Sequence, residues 1–388
     1  MIITAQTAKH LYNTGYYKCD DQIFYSKIQA CIYSSSVKKP ITWIYNDVIF
    51  NNYNWTIEPK ETLDELYNKR ARQLREKYDY LIISFSGGAD SYNVVQSFIR
   101  QGLHIDEIVT NHLTKGTEKL VVLDKKVTNP WNLNAEHELQ AIPRLKEIQN
   151  ACPRTKITVL DTTDAVMSEL QGKKDEEWIL ERKSNLTFAM FYRYNHFHFA
   201  SVKKQFDKNI SIAIVTGIDK PRTQMRENRL SLTLSDAGAV SFSGIHDHNE
   251  YPNATIEHFY YGAGGVDIMC KQSHVIKNWL TVNKTYQSLW KNMTFAKWRT
   301  VVEPITRDIV YSTWNPTWFQ VNKATGGWHT EFDKWAYALA GNKELAVWNA
   351  GIQYVAKSAP DYIHLNNKGA PDQLTVMEKH FYIGHIPQ

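Results

Sequence analysis

The chain has 388 residues, of which 43% are hydrophobic and 22% are charged, and its formal net charge is +5. This length is sufficient for two domains, and the balanced composition excludes a globally disordered protein. The small positive charge permits a polyanionic partner without favouring one, because nucleic-acid-binding domains usually concentrate their basic residues more strongly.

Apolar residues are dispersed along the chain. No apolar stretch approaches the ~20 residues that a membrane span requires. The N-terminal residues also lack the apolar core and cleavage site of a secretory signal. We therefore expect a cytoplasmic protein without a membrane partner. The four cysteines are far apart and form no C-x-x-C pair, which argues against a thiolate zinc site or a redox dithiol.

Residues 1–77 are predicted to form a β-rich segment that ends in a lead-in helix. Aromatic and β-branched residues at 41–45 and 48–50 predict short strands or a hairpin joined at Asn46 and Asp47. Thr62 and Glu65 have the spacing of a capping box, which predicts the start of the helix.

Residues 78–230 alternate between strand and helix patterns. Strands are predicted at 79–84, 105–110, 156–161 and 211–216, and helices at 91–100, 135–149 and 186–206. Pro143 is expected to kink or interrupt the second of these helices. The alternation predicts an α/β domain whose parallel sheet is covered by helices on both faces, with ligands at the carboxyl ends of the strands.

Residues 231–388 are predicted to form an aromatic, mostly helical region. Eight of the twelve tryptophans lie between Trp279 and Trp348. Helices are predicted near 270–282, 284–299 and 331–340. We interpret the tryptophans first as core residues, and a stacking surface for nucleobases is the less favoured alternative.

The stretch SFSGGADS, residues 84–91, leaves a buried strand and leads directly into a helix. Its adjacent glycines let the backbone wrap closely around an oxyanion. The positive end and N–H groups of the following helix then face that anion. Serine hydroxyls add donors, and an aspartate can hold Mg²⁺ or orient the loop. A helix start that uses serine and glycine only for turning is the alternative. The predicted nucleotide-binding residues here are Ser84, Ser86, Gly87, Gly88, Asp90 and Ser91.

Ser86 to Ser91 resembles the SGGxDS pyrophosphate loop of the N-type ATP pyrophosphatases. This PP-loop superfamily includes asparagine synthetase, GMP synthetase, NAD synthetase, tRNA-thiolating enzymes and phosphoadenosine-phosphosulfate reductases. The resemblance covers about residues 78–230 and implies the adenine nucleotide alpha hydrolase, or HUP-like, fold. It also implies that ATP, with Mg²⁺, is cleaved between its α and β phosphates. A substrate oxygen attacks the α-phosphorus, pyrophosphate leaves into the loop, and the adenylated intermediate then meets a nucleophile.

The stretch TGIDKPR, residues 216–222, ends the predicted fourth strand. Gly217 permits a close ligand approach, Asp219 is a candidate magnesium ligand, and Lys220 and Arg222 supply cations for phosphates. Arg226 and Arg229 supply further cations. A charged surface turn is the alternative. Because both stretches end strands of one sheet, we expect them at the same edge. The placement is loosely similar to a segment of the phosphoadenosine-phosphosulfate reductases.

These patterns define a predicted site. Asp90, Lys220 and Arg222 are the predicted catalytic residues, and Asp90 and Asp219 are the predicted metal ligands. Gly217 and Asp219 join the nucleotide-binding set. Asn111 follows the second strand, where the resemblance implies contact with adenosine.

Residues that the chain lacks argue against some reactions of the superfamily. Ile2 stands where a glutaminase domain carries its cysteine nucleophile, and no cysteine follows Cys270, although sulfate-reducing members use one near the C-terminus. We expect an AMP-forming enzyme that activates a carboxyl, amide or carbonyl oxygen for attack by an amine, ammonia or water. A PP-loop enzyme that modifies tRNA or DNA and a non-catalytic ATP-binding module are the alternatives, and a homo-oligomer stays open.

Overall fold

The computed structural model describes residues 15–112, 136–161, 164, 176–181, 202, 204–205, 207–220, 222–236, 253–291, 293–294, 297–320, 342–365 and 371–387. Its strands are β1 (Tyr16–Cys19), β2 (Gln22–Phe24), β3 (Ile41–Ile44), β4 (Tyr80–Ser84), β5 (Glu107–His112), β6 (Lys156–Asp161), β7 (Ile212–Thr216), β8 (Arg222–Arg226), β9 (Arg229–Ser235), β10 (Ala254–His258), β11 (Ile363–Leu365), β12 (Pro371–Leu374) and β13 (Glu378–His385). Its α-helices are α1 (Lys27–Val37), α2 (Asp47–Asn52), α3 (Leu63–Lys77), α4 (Ala89–Ile99), α5 (Ile142–Ala151), α6 (Val266–Val282), α7 (Gln287–Trp290), α8 (Glu303–Val310) and α9 (Asn342–Ser358).

Five strands form one sheet in the order β10-β7-β4-β5-β6. Every neighbouring pair in this sheet is parallel. The chain proceeds from β4 outward to β6 and then returns to the other side of β4 with β7 and β10. The strand order therefore reverses between β4 and β7, and this reversal opens a crevice at the carboxyl ends of the two strands. The prediction of an α/β domain with a parallel sheet is confirmed.

The central strand is buried on both faces, which explains its continuous apolar run. Leu81 and Ile83 of β4 point to one face and belong to a core that includes Leu74 of α3 and Val95 of α4. Ile82 points to the other face and packs in a separate cluster with residues of β7 and β10. Alternation along the strand thus supplies two cores from one segment.

The helices follow several of their sequence signals. The backbone N–H of Thr62 donates to the Glu65 carboxylate over 2.7 Å, and the Glu65 N–H donates to the Thr62 hydroxyl over 3.3 Å, so the capping box is confirmed. The predicted helix at 135–149 is a π-helical turn, Glu136–Ala141, that runs into α5. Pro143 lies in the first turn of α5, where its missing N–H costs little. None of the described helices combines the length and apolar character needed to cross a bilayer.

The segment before β4 contains more helix than predicted. Its strands form a small antiparallel sheet in the order β2-β1-β3, but α1, α2 and α3 make it mixed rather than β-rich. The hairpin predicted at Asn46 and Asp47 is wrong, because Asn46 has a left-handed φ of 49° and precedes α2. Phe50 of α2 is fully buried against Trp55 and Phe381. This packing outweighs the strand propensity of the local sequence.

Among the described residues after 230, helix is more abundant than strand, but several strands are also present. The helix predicted at 270–282 is confirmed as α6. Within 284–299 the described residues form a 3-10 turn, Lys284–Tyr286, then the short α7, and then the start of a π-helical turn, Trp298–Val302. The helix predicted at 331–340 and most of that at 186–206 lie outside the described residues. Strand β10 joins the parallel sheet, and β13 pairs with β9 of the β8–β9 hairpin. The boundary predicted at residue 230 therefore falls inside β9.

Most of the described tryptophans in this region serve as core residues. Trp290, Trp298, Trp314 and Trp348 are each at most 7% exposed. Trp290 also donates its indole N–H to the Thr223 hydroxyl over 3.0 Å, which satisfies its polar atom inside the core. The interpretation of these tryptophans as packing residues is confirmed for the four.

Candidate nucleotide site

The stretch between β4 and α4 forms a tight loop at the reversal in strand order. The N–H of Phe85 donates to the carbonyl of Val109 over 2.8 Å, so the chain stays bonded to β5 as far as Phe85 and leaves the sheet after it. Gly87 has a φ of +73°, and a Cβ atom there would lie 2.6 Å from the Cα of Ala141. Both the conformation and the close approach require glycine.

Hydroxyl and amide donors converge on this loop. The Ser86 N–H donates to the Ser91 hydroxyl over 3.3 Å, and the two hydroxyl oxygens are 3.4 Å apart. The Gly88 N–H donates to the Ser86 hydroxyl over 3.3 Å. Gly88 is the N-cap residue of α4 and, as a glycine, has no side chain with which to cap that helix end. An anion placed here would meet serine hydroxyls, first-turn amides and the positive end of α4.

The residues after β7 lie directly against the first turn of α4. A Cβ atom on Gly217 would lie 2.9 Å from the Cα of Ser91 and 3.1 Å from the carbonyl carbon of Asp90. This contact leaves no room for a side chain. The two predicted stretches are therefore neighbours at one sheet edge, as expected from the parallel topology.

Lys220 lies at the centre of a carboxylate cluster. Its ammonium is 3.1 Å from both Asp90 carboxylate oxygens, 3.3 Å from Asp219 and 3.2 Å from Glu303. The Lys220 side chain is only 1% exposed. Arg299 adds a second cation through a 2.8 Å hydrogen bond to Glu303. Three carboxylates thus share two cations, and α8 brings the third carboxylate to the two loops.

The cluster shifts the pKa values of its members. Burial alone would lower the pKa of Lys220, but Asp90, Glu303 and Asp219 outweigh burial and raise the pKa above its usual value. Burial raises the pKa of Asp219 to about 6, with Lys220 opposing the shift and Asp90 and Glu303 adding to it. Lys220 is therefore a permanent positive charge near neutral pH, whereas Asp219 changes its charge close to that range.

Two buried tyrosines, Tyr260 and Tyr311, donate hydrogen bonds to Asp90. The Tyr311 hydroxyl donates to the Asp90 carboxylate over 2.5 Å, and the Tyr260 hydroxyl donates to the Asp90 carbonyl over 3.0 Å. Asn93 donates to the Tyr260 oxygen over 2.9 Å. Burial, with the nearby Asp90 charge, raises the pKa of both tyrosines well above its usual value. Both therefore stay neutral donors and fix the position of Asp90.

The carboxylates have the donor chemistry of a divalent-cation site. One oxygen each from Asp90, Asp219 and Glu303 lies within 4.8 Å of the others. Carboxylate oxygens are preferred ligands of Mg²⁺. The Lys220 ammonium lies among the same oxygens, so it and a metal ion would compete for the same negative charge. The three carboxylates therefore fit a cation site, and in this structure the cation that they bind is the Lys220 ammonium.

Two further predicted residues, Ser84 and Asn111, lie at or near the carboxyl ends of strands of the same sheet. Ser84 is the last residue of β4 and pairs with Val109 and Thr216. Asn111 is near the carboxyl end of the neighbouring strand β5, at the same edge.

The predicted arginines do not join the cluster. Arg222 begins β8 and donates to the Glu378 carboxylate of β13. Arg226 and Arg229 face each other at the turn of the β8–β9 hairpin, roughly 13 Å further along the strand. The expectation that these arginines line the phosphate loop gains no support from their contacts.

Sequence reasoning missed Glu303, Tyr260 and Tyr311. Tyr260 follows β10, so recognition of that strand would have placed it at the site edge. Glu303 precedes Pro304, which indicates a helix start but carries no functional signal. Tyr311 follows the same helix and has no local signature. Comparison of the chain with protein-family models finds no match, and a search of curated proteins finds no significant relative.

Proposed function

We propose that the chain is an ATP pyrophosphatase-type enzyme with a HUP-like core that forms an adenylated intermediate. A carboxyl, amide or carbonyl oxygen of the substrate attacks the α-phosphorus of ATP, and the bond between the α and β phosphates breaks. Pyrophosphate leaves, and an amine, ammonia or water then displaces AMP from the activated substrate. ATP and an acceptor substrate are the proposed partners.

The observation that carries the proposal is the loop of residues 84–91 at the reversal in strand order. Its glycine conformation, serine hydroxyls and uncapped helix start are all suited to a phosphate group. Ligands of open parallel sheets bind at this position. The absence of a lysine after the glycines favours an SGGxDS-type loop over a Walker loop.

The charged residues divide into two proposed roles. Lys220 holds a fixed positive charge beside the loop and keeps Asp90 and Asp219 in place through bonds of 3.1 and 3.3 Å. Because its ammonium is buried among carboxylates, we assign Lys220 to electrostatic support rather than to proton transfer. The Tyr311 bond holds Asp90 in the orientation that the loop requires.

Mg²⁺ is the cation that we propose to accompany ATP. Asp90 and Asp219 would hold it, with Glu303 as a third carboxylate within reach. The ion would supply charge neutralisation to the phosphates. Ionisation of Asp219 is a condition for this role, because a protonated carboxyl is a poor metal ligand.

Nucleotide binding and product analysis test the proposal. Calorimetry with MgATP should show binding to the wild type, and Asp90→Asn should weaken it at least about tenfold because the variant lacks a proposed Mg²⁺ ligand. Lys69→Met is the matched control, because Lys69 is exposed and pairs with exposed Glu61. Incubation with ATP labelled at the α-phosphate and candidate carboxylate or amide substrates should release AMP and pyrophosphate in equal amounts.

Two results would contradict the proposal. Failure of MgATP to bind the wild type would remove nucleotide chemistry altogether. Release of ADP and inorganic phosphate would show cleavage at a different bond. AMP formation lost in Asp90→Asn but retained in Lys69→Met would support the assigned site.

A further inference from the structure

The π-helical turn Glu136–Ala141 and α5 contact the loop backbone at its carbonyl groups. Gln140 donates its side-chain amide to the Ser86 carbonyl over 3.1 Å. Arg144, one helical turn further, donates to the Gly87 carbonyl. These two side chains therefore bind two successive carbonyls of the candidate pyrophosphate loop. We propose that Gln140 and Arg144 are positioning residues that keep the loop amides directed at the leaving pyrophosphate. The inference rests on the function proposed above.

The geometry of the peptide bond connects these contacts to the anion site. In a trans peptide the N–H points away from the C=O of the same unit, and no cis peptide is present among the described residues. The Ser86 carbonyl shares its peptide unit with the Gly87 N–H, and the Gly87 carbonyl shares its unit with the Gly88 N–H. Holding both carbonyls towards the helix turns both amides away from it, and the Gly88 N–H then donates to the Ser86 hydroxyl over 3.3 Å.

The close packing of the loop on this helix supports the same role. Gly87 approaches the backbone of Ala141, between Gln140 and Arg144, more closely than a side chain would allow. Gln140 and Arg144 are 2% and 5% exposed. The helix thus contacts the loop through backbone and through two buried side chains, so a loop peptide cannot rotate without breaking these contacts.

Tryptophans from the C-terminal region hold Arg144 in turn. Its guanidinium carbon lies 4.7 Å from the Trp314 ring centre and 4.8 Å from that of Trp318. A second guanidinium nitrogen donates to the Phe319 carbonyl over 3.2 Å. Arg144 forms no ion pair within the described part of the chain, so cation–π contacts and carbonyl acceptors replace a carboxylate partner. These contacts fix the Arg144 guanidinium beside the loop.

Lysine does not reproduce this arrangement. The planar guanidinium donates to two carbonyls while its faces contact aromatic rings, whereas an ammonium is a compact charge without that fork. Arg144→Lys keeps the charge and most of the stem but loses the fork. Arg100→Lys is the matched control, since Arg100 is the C-cap residue of α4, pairs with Asp64 over 2.9 Å and has no described contact with the loop.

The experiment measures nucleotide affinity and local loop stability together. MgATP and inorganic pyrophosphate are titrated calorimetrically into the wild type, Arg144→Lys, Gln140→Met and Arg100→Lys. We expect the first two variants to lose about tenfold in affinity for both probes and the control to keep it. Hydrogen exchange should accelerate in the peptide that covers residues 84–91 and stay unchanged in peptides from β1 to β3. A purely global destabilisation would accelerate both regions.

The outcomes separate this inference from the proposed function. Wild-type protein that binds neither probe contradicts the proposed function and this inference with it. Wild-type binding with Arg144→Lys and Gln140→Met both within about twofold of it overturns the inference alone. If Arg144→Lys does not fold, Gln140→Met decides the result, because it releases the adjacent loop carbonyl without altering the tryptophan contacts.

Discussion

Removal of the Lys220 ammonium tests the carboxylate cluster most directly. Lys220→Met keeps most of the buried stem but leaves Asp90, Asp219 and Glu303 within 4.8 Å of one another. Loss of one partner from a buried ion pair costs about 3–5 kcal/mol. In Lys220→Met, Glu303 keeps its bond to Arg299, whereas Asp90 and Asp219 lose their cation. For a chain of this size the unfolding entropy is roughly 0.8 kcal/mol/K, so the melting temperature should fall by about 4–6 °C at neutral pH.

The pH and metal dependence give this prediction its specificity. Without Lys220 the three carboxylates repel one another, so their pKa values rise in the folded state. The folded variant then binds protons more tightly than the unfolded chain, and its stability deficit should shrink as the pH falls. Mg²⁺ should replace the missing cation and raise the melting temperature of the variant more than that of the wild type.

Thermal unfolding followed by circular dichroism between pH 5 and 8, with and without about 10 mM Mg²⁺, measures these effects. Lys69→Met is the control, because its exposed pair with Glu61 contributes only about 0–1 kcal/mol. A melting temperature for Lys220→Met within about 1 °C of the wild type throughout this range would refute the electrostatic reasoning.

Gly87→Ala should lower the free energy of unfolding in urea by about 1–3 kcal/mol and abolish MgATP binding. The φ of +73° and the contact with Ala141 both exclude a Cβ atom at this position. An unchanged unfolding free energy and an unchanged MgATP affinity would show that the loop adapts. Asp219, whose pKa is raised to about 6, should stabilise the folded state fully below about pH 4, with this contribution lost as the pH rises through 6. The wild type minus Asp219→Asn difference in unfolding free energy isolates this slope, and a flat difference would contradict it. Tyr311→Phe removes a hydrogen bond to Asp90 and should weaken MgATP binding about tenfold in calorimetry; affinity equal to the wild type would show that Asp90 holds its position without it.

The loop of residues 84–91 was predictable because its determinants are local. Glycines, serines and an aspartate follow one buried strand, and the helix starts at once. The proximity of Gly217 and Asp219 followed from one further step, since parallel strands present their carboxyl ends at one edge. Glu303 and Tyr311 had no such signal, because only the folding of the C-terminal region brings them to Asp90.

Strand β10 shows why the predicted sheet was one strand short. Its sequence places Glu257 and His258 in a buried strand, whereas apolar residues are the usual signal. Arg70 and Lys77 of α3 pair with Glu257 at 2.8 and 2.7 Å. Burial would raise the pKa of Glu257, but these cations and the Tyr78 hydrogen bond lower it to about 2. The charge is compensated by residues 180 or more positions away, which a local pattern does not show.

Arg222 is predicted to bind phosphate because arginine binds phosphates bidentately and this residue follows the end of β7. Its side chain instead meets Glu378, which is 156 positions away in sequence. Side chains of a strand alternate between faces, so proximity along the chain does not imply a shared direction. The pairing of β9 with β13 brings Glu378 to Arg222, and no local sequence feature predicts that pairing.

The separation of Asp90, Lys220 and Glu303 along the chain has a consequence for biosynthesis. The contacts of Lys220 span 130 residues back to Asp90 and 83 residues forward to Glu303. At about 5–20 residues per second, translation needs on the order of 4–17 s to pass from Lys220 to Glu303. During that interval a nascent chain holds both loops but only two of the three carboxylates, and α8 has yet to be made. The complete cluster of three carboxylates around Lys220 can therefore form only in chains whose synthesis has passed α8.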